Sequence, residues 1–252
     1  MIDRKKEVQR IIYFIQDYFK KNNLGGVIIG ISGGKDSGVV AGLLSLALGG
    51  ENVIGVSMPC HSNDEDYLDA KLVAGKFGIS LINFDLSSVY DSFQKQAQLL
   101  EDYVISLDSE INLKPRLRMS TLYYLAQMYS KKNNKTYIVA GTGNKCEEYV
   151  GYFTKGGDSV SDIKILSSFT VDEVIQLGEE IGVPEKVLYK EPNDGLSGVS
   201  DEEKLGVSYS DIAKVISGEV INKKAFDKIN YLHEKNAHKF FTATYCQDKS
   251  KE

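Results

Sequence analysis

The stretch Ser32-Gly33-Gly34-Lys35-Asp36-Ser37 puts two hydroxyls, two glycines, a cation and a carboxylate into consecutive positions. Such a set can hold a polyphosphate. Glycines let backbone N–H groups approach phosphate oxygens closely, and a helix beginning near Asp36 adds the positive end of its dipole. Ser32 and Ser37 can donate their hydroxyls to the same oxygens. Asp36 alone would repel phosphate, so its place in the turn makes sense as a ligand for Mg²⁺ shared with the phosphates. Competing readings fail on spacing. A Walker A loop needs Gly30 and Gly34 one residue further apart and Ser or Thr where Asp36 stands, and the dinucleotide fingerprint G-x-G-x-x-G is absent. Gly30-Ile31-Ser32-Gly33-Gly34 does fit the serine-hydrolase elbow G-x-S-x-G, with Asp211 and His238 following in hydrolase order. Yet one helix, rather than several strands, precedes the turn, and an elbow has no use for Asp36 or Ser37. A plain tight turn capped by Asp36 leaves both serines unexplained.

The surrounding elements suit a phosphate turn. "GVIIGI" (Gly26–Ile31) reads as a buried strand and Asp36–Leu48 as a helix. Before them, Val8, Ile11, Ile12, Ile15, Tyr18 and Phe19 fall at helical spacing within Ile2–Asn22. After them come a strand over Asn52–Met58, a helix opened by a Ser62-x-x-Glu65 capping box and ended by Gly78, and a strand over Ile79–Leu86. A helix is expected over Val89–Val104, and a long one to about Lys132 with Pro115 in its first turn. A fourth strand covers Thr136–Gly143. Alternating strands and helices imply an α/β fold, a doubly wound parallel sheet with helices on both faces. Phe153–Asp162 and Glu191–Gly206 read as long loops of the kind that carry binding segments. Helices are expected over Val171–Ile181, Tyr209–Ser217 and Lys223–Lys235. No linker or repeat divides the chain, so residues 1–252 are read as one domain.

Composition narrows the function classes. The chain has 252 residues with a formal net charge of −5, which argues against a general nucleic-acid binder. No apolar run approaches the roughly 18 residues of a membrane span. The first residues are charged throughout, unlike a signal peptide, so a cytoplasmic protein is expected. Cys60, Cys146 and Cys246 lie far apart, without the spacing of a zinc site or a redox dithiol.

"SGGKDS" resembles the pyrophosphate loop of the adenine-nucleotide α-hydrolase-like ATP pyrophosphatases, enzymes that cleave ATP between its α- and β-phosphates and adenylate a substrate. Further stretches narrow the likeness: "NLKPRLRM" (Asn112–Met119), "GTGNKCEEYVGYFTKGGDSVSDIKIL" (Gly141–Leu166), "LYKEPNDGL" (Leu188–Leu196) and "DEEKLGVSY" (Asp201–Tyr209). With the loop they resemble the ammonia-dependent NAD synthetase family, in its order, from Gly30 to His238. The cysteine pair of tRNA thiolases is missing, and there is no room for the amidase domain of glutamine-dependent relatives.

The resemblance implies a Rossmann-like architecture and a reaction. Deamido-NAD would attack the ATP α-phosphate through its pyridine carboxylate, giving an acyl-adenylate and pyrophosphate. Ammonia would then displace AMP to give NAD. It implies Gly30, Ile31, Ser32, Gly33, Gly34, Lys35, Asp36, Ser37, Thr142 and Asn193 as ATP contacts, with Asp36 and Ser32 the catalytic candidates of the turn. Asp36 and Glu147 would bind Mg²⁺, although Asn144-x-x-Glu147 is also a capping box. Arg116, Lys155, Asp162, His238 and Lys239 would hold deamido-NAD. Arg116 and Arg118 point roughly 200° apart on a helix, so Arg118 is left for a salt bridge or a subunit contact. His61 and His233 receive no role. The family's ATP-binding lysine falls on Val171, Asn193 stands where Ser or Thr is usual, and Gly38 where Thr is common. A homodimer with shared active sites is implied, with the first helix a candidate for its interface. Two rivals remain: another adenylating amidotransferase or thiolase of the same loop class, and a non-catalytic adenine-nucleotide-binding module.

Overall fold

The structure, a computed structural model, describes residues 3–190 and 200–241. Five strands form one parallel sheet in the order β3-β2-β1-β4-β5. They are β1 (Leu24–Gly30), β2 (Val53–Ser57), β3 (Ser80–Asn83), β4 (Thr136–Gly141) and β5 (Ile163–Lys164). The helices are α1 (Arg4–Lys21), α2 (Lys35–Leu48), α3 (Asp64–Phe77), α4 (Ser87–Ala97), α5 (Leu107–Asn133), α6 (Lys145–Val150), α7 (Val171–Ile181), α8 (Glu185–Leu188), α9 (Asp201–Leu205), α10 (Tyr209–Ser217) and α11 (Lys223–Lys235).

The alternation of β1 explains the layering. Val27 and Ile29 face a core built with Ile15, Val39, Leu43, Val174 and Leu177 from α1, α2 and α7. Ile28 faces the opposite core, with Val56, Val139 and Leu125 under α5. Both faces of the central strands are therefore covered, as in parallel sheets generally. A third apolar cluster joins Cys146 and Val150 of α6 to Ile212 and Ile229 of α10 and α11. The apolar face of α1 is spent on this packing, with Val8, Ile11, Ile15 and Phe19 all buried, and Arg4 pairs with Glu179 of α7. Within the described residues α1 packs intramolecularly through this face, while Tyr13 and Phe14 of the same helix stay exposed.

Several expectations are corrected. The capping serine of α3 is displaced: Asn63 accepts from the Glu65 N–H, while Ser62 accepts from the Cys60 N–H. The helix expected over Val89–Val104 ends at Ala97. α5 starts eight residues before Pro115, because Ser106 caps it and Asp108 and Glu110 occupy its first turn. Pro115 therefore stands inside the helix. β5 was not expected, and α9 occupies the end of the second long loop, started by a Ser200–Glu203 capping box.

Candidate active site

The strand order reverses its direction of progression at β1, whose neighbours are β2 on one side and β4 on the other. Ligands in open α/β sheets bind outside the carboxyl ends of the strands at such a switch point. The two glycine turns of the sequence meet there.

The turn after β1 is held by its serines. Ser32 Oγ and Ser37 Oγ lie 3.1 Å apart, the Gly34 N–H donates to Ser32 Oγ at 3.2 Å, and Ser37 Oγ donates to the Gly34 carbonyl at 3.0 Å. None of the Ser32 partners is a histidine, so the elbow reading finds no base. Gly33 has φ +82°, and a Cβ there would come within 2.5 Å of the Asp66 carbonyl oxygen. Glycine is required on both counts. The helix cap is Gly34 rather than Asp36, which frees the carboxylate for other work. Lys35 is buried, with its Nζ 3.8 Å from Asp36.

Asn144, itself buried, links this turn to the one after β4. Its Nδ2 donates to Asp36 Oδ1 at 3.2 Å, and its backbone N–H donates to Glu147 Oε2 at 3.0 Å. Its Oδ1 meanwhile accepts the N–H groups of Cys146 and Glu147 and caps α6. The capping box expected at Asn144 and Glu147 is present, and it sets Glu147 beside Asp36. Burial raises the pKa of Asp36, opposed by the Lys35 charge and the Asn144 hydrogen bond. Glu147 is held well above the usual carboxylate range, by burial first and by the Asp36 charge second. Burial and the same acids push the Tyr209 phenol up as well.

Two desolvated carboxylates that repel one another, with no cation closer than Lys35, form a donor set of hard oxygens. It fits Mg²⁺, which takes one or two carboxylates and completes its shell with water and substrate phosphates. Among the described residues no group of three or more His, Cys, Asp or Glu converges, so the phosphates would have to supply the rest.

Cations gather beside the loop of residues 153–162. Arg116 Nε donates to the Lys155 carbonyl at 3.3 Å, and Lys155 Nζ to the His238 carbonyl at 3.1 Å. Lys239 Nζ reaches the carbonyls of Gly151 and Phe153 at 2.8 and 3.0 Å, and burial lowers its pKa. The His238-Lys239 pair, which sequence alone would leave in solvent, is docked on this loop. Asp162 is engaged elsewhere: it accepts from the Val139 N–H at 2.7 Å and from Tyr123 Oη at 3.1 Å, and its charge and burial raise that phenol to about 12. Thr142 follows β4 between Gly141 and Asn144. Asn193 lies outside the described residues. Val171 opens α7 behind the Thr170–Glu173 cap and packs into the third cluster.

Asp158 was missed. Its Oδ1 accepts the Thr154 N–H at 2.7 Å, and burial raises its pKa against the pull of Lys239 and Arg118. The sequence signal is slight, since an acid in a Gly/Ser-rich loop reads as solvated and the Thr154 hydrogen bond is not visible in the spacing.

Residues 7–243 match the NAD synthase family model. The NH(3)-dependent NAD(+) synthetase of Carboxydothermus hydrogenoformans is 33% identical over 239 residues, covering 94% of this chain and 96% of that protein. Among solved structures, the NMN synthetase of Francisella tularensis is 31% identical with a TM-score of 0.90, and the NH3-dependent NAD synthetase of Campylobacter jejuni is 28% identical with a TM-score of 0.77. Each of the two alignments covers 98% of this chain and 100% of the other.

Proposed function

The chain belongs to the NAD synthase family, and on that premise we propose how its site works. It is a ligase that forms a carbon–nitrogen bond, making NAD from ATP, ammonia and deamido-NAD. The observation that carries this reading to the residues is the Asn144 bridge between Asp36 and Glu147.

A carboxylate oxygen of deamido-NAD attacks the α-phosphorus of ATP. The new O–P bond forms as the bond to the β-phosphate breaks, and pyrophosphate leaves with the electron pair. Ammonia then adds to the acyl carbon, AMP departs with its bonding pair, and the nitrogen loses a proton to water. Asp36 and Glu147 would hold Mg²⁺, which would neutralise phosphate charge. Gly30, Ile31, Ser32, Gly33, Gly34, Lys35 and Ser37 cradle the phosphates, with Thr142 and Asn193 completing the ATP site. Arg116, Lys155, Asp162, His238 and Lys239 receive the dinucleotide. Bringing two anions together is the main electrostatic cost, and fixed cations beside the loop offset it before the reaction starts.

The whole chain is one domain in this reading, and it works in the cytoplasm as a homodimer. Support for the dimer is an apolar strip on the α4–α5 connection, where Phe93, Leu99, Leu100, Val104, Ile105 and Leu107 are all exposed. Among the described residues no helix is long and apolar enough to cross a membrane.

The test is a mass-spectrometric assay with Mg-ATP, deamido-NAD and ammonium chloride. NAD, AMP and pyrophosphate should appear in equal amounts and vanish in Asp36→Ala. ATP binding without any amide product would sink the reading. The Francisella relative is named for NMN synthesis, which makes a mononucleotide acid the control acceptor. Nicotinic acid mononucleotide belongs in a parallel reaction, and the kcat/KM ratio of the two acids decides which one the site prefers.

A further inference from the structure

Arg118 has no role in the scheme above, and its surroundings are those of a residue awaiting an anion. Its Nε donates to the Met58 carbonyl at 3.2 Å. It takes part in none of the ion pairs formed among the described residues. Burial lowers its pKa, opposed at longer range by Cys60, Asp158 and Asp66. The half-buried guanidinium thus keeps its terminal nitrogens outside any salt bridge among the described residues. The expected salt bridge is therefore absent among the described residues. The Met58 contact places the guanidinium at the end of β2.

Its position is specific. Leu122, one turn further along α5 on the same face, packs beside Gly30 at the end of β1, where a Cβ would lie 3.7 Å from Leu122 and 3.2 Å from Met58. Arg118 thus stands above the ends of β1 and β2, next to the phosphate turn. Asp158 acts on it by charge from the loop of residues 153–162, on which Lys239 docks and which contains Lys155. Arg116, on the other side of α5, belongs wholly to that loop. Of the anionic groups in the reaction, the α-phosphoryl group must lie between the phosphate turn and the incoming acid.

We propose that Arg118 is a catalytic residue whose terminal guanidinium nitrogens bind the non-bridging oxygens of the α-phosphoryl group. This rests on the adenylation reading of the site. As the carboxylate oxygen bonds to phosphorus and pyrophosphate leaves with its electron pair, charge accumulates on those oxygens, and a planar fork matches them. The same contact steadies AMP as it departs with its bonding pair when ammonia adds to the acyl carbon. Arg118 neither gives nor takes a proton in either step.

The test compares wild type with Arg118→Ala and Arg118→Lys, reading kcat, KM for ATP and ATP–pyrophosphate exchange. Removing a donor aimed at transition-state charge costs about 100- to 1000-fold in rate, so kcat and exchange should fall together by that factor in Arg118→Ala while KM for ATP changes less than about threefold. Added guanidinium ion should restore at least about tenfold in Arg118→Ala, as expected for a missing charged donor, and should leave wild type unchanged. A kcat near wild type, or no guanidinium rescue in a folded variant, overturns the proposal and leaves Arg118 a prop for the Met58 carbonyl. Should Arg118→Ala fail to fold, Arg118→Lys decides: it keeps charge and stem but not the fork, and unchanged kcat there overturns the proposal. Wild-type enzyme that makes no amide at all would instead overturn the adenylation reading.

Discussion

Burial favours the protonated carboxyl at both Asp36 and Glu147, and the Asp36 charge adds to it at Glu147. An acid whose pKa is raised on folding stabilises the fold fully only below its unfolded value, and that contribution is lost as pH rises through the folded value. At neutral pH without Mg²⁺ the pair therefore works against stability. Glu147→Gln, which keeps an acceptor for the Asn144 N–H, should raise Tm at pH 8 by about 2–4 °C for each kcal/mol relieved and abolish NAD formation. The gain should disappear near pH 4, where wild type is itself protonated; calorimetry at both pH values checks the sign, and equal gains at both would refute it. Gly33→Ala should behave in the opposite way, because a left-handed backbone and the Asp66 carbonyl both resist a Cβ. Stability should drop by about 1–3 kcal/mol, with ATP affinity lost alongside, as urea melts and nucleotide titration would report. The functional residues of the phosphate turn were legible because their types are unusual together. Asp158 and Arg118 were not, since a charge becomes informative only once folding shows which partners it has.

α5 carries the larger discrepancy between sequence and structure. Its Pro115 has no N–H to give the Ile111 carbonyl, at an interior position where proline costs about 3 kcal/mol. The same residue abuts the substrate loop, where a Cβ on Gly157 would lie 3.1 Å from Pro115. Pro115→Ala should therefore stabilise the protein by about 1–3 kcal/mol while loosening the seat of the loop. We expect higher KM for the acid and an unchanged KM for ATP; unchanged KM for both would make Pro115 a mere defect. Proline at a helix start is the commoner pattern, and the first turn was misplaced for that reason. Ser106 with Asp108 and Glu110 was the stronger signal. β5 escaped detection because two residues display no periodicity. Long amphipathic helices such as α7, α10 and α11, and the apolar runs of β1 and β4, were readable because their patterns persist for several residues.

At the scale of the whole molecule, the exposed strip around Leu100 predicts association. Sedimentation should give twice the 28.0 kDa chain mass, and Leu100→Asp with Ile105→Asp should halve it and reduce activity if the sites are shared. A monomer in wild type would withdraw the dimer. Asn144 and Asp36 are 108 positions apart in the chain, and synthesis proceeds at roughly 5–20 residues per second with the N-terminal part emerging first. For several seconds on the ribosome, the nascent protein has a phosphate turn with one acid and no second acid beside it. If Asp36 and Glu147 share the metal as proposed, fragments that end before residue 147 should not consume ATP, and activity should appear only once β4 has inserted beside β1.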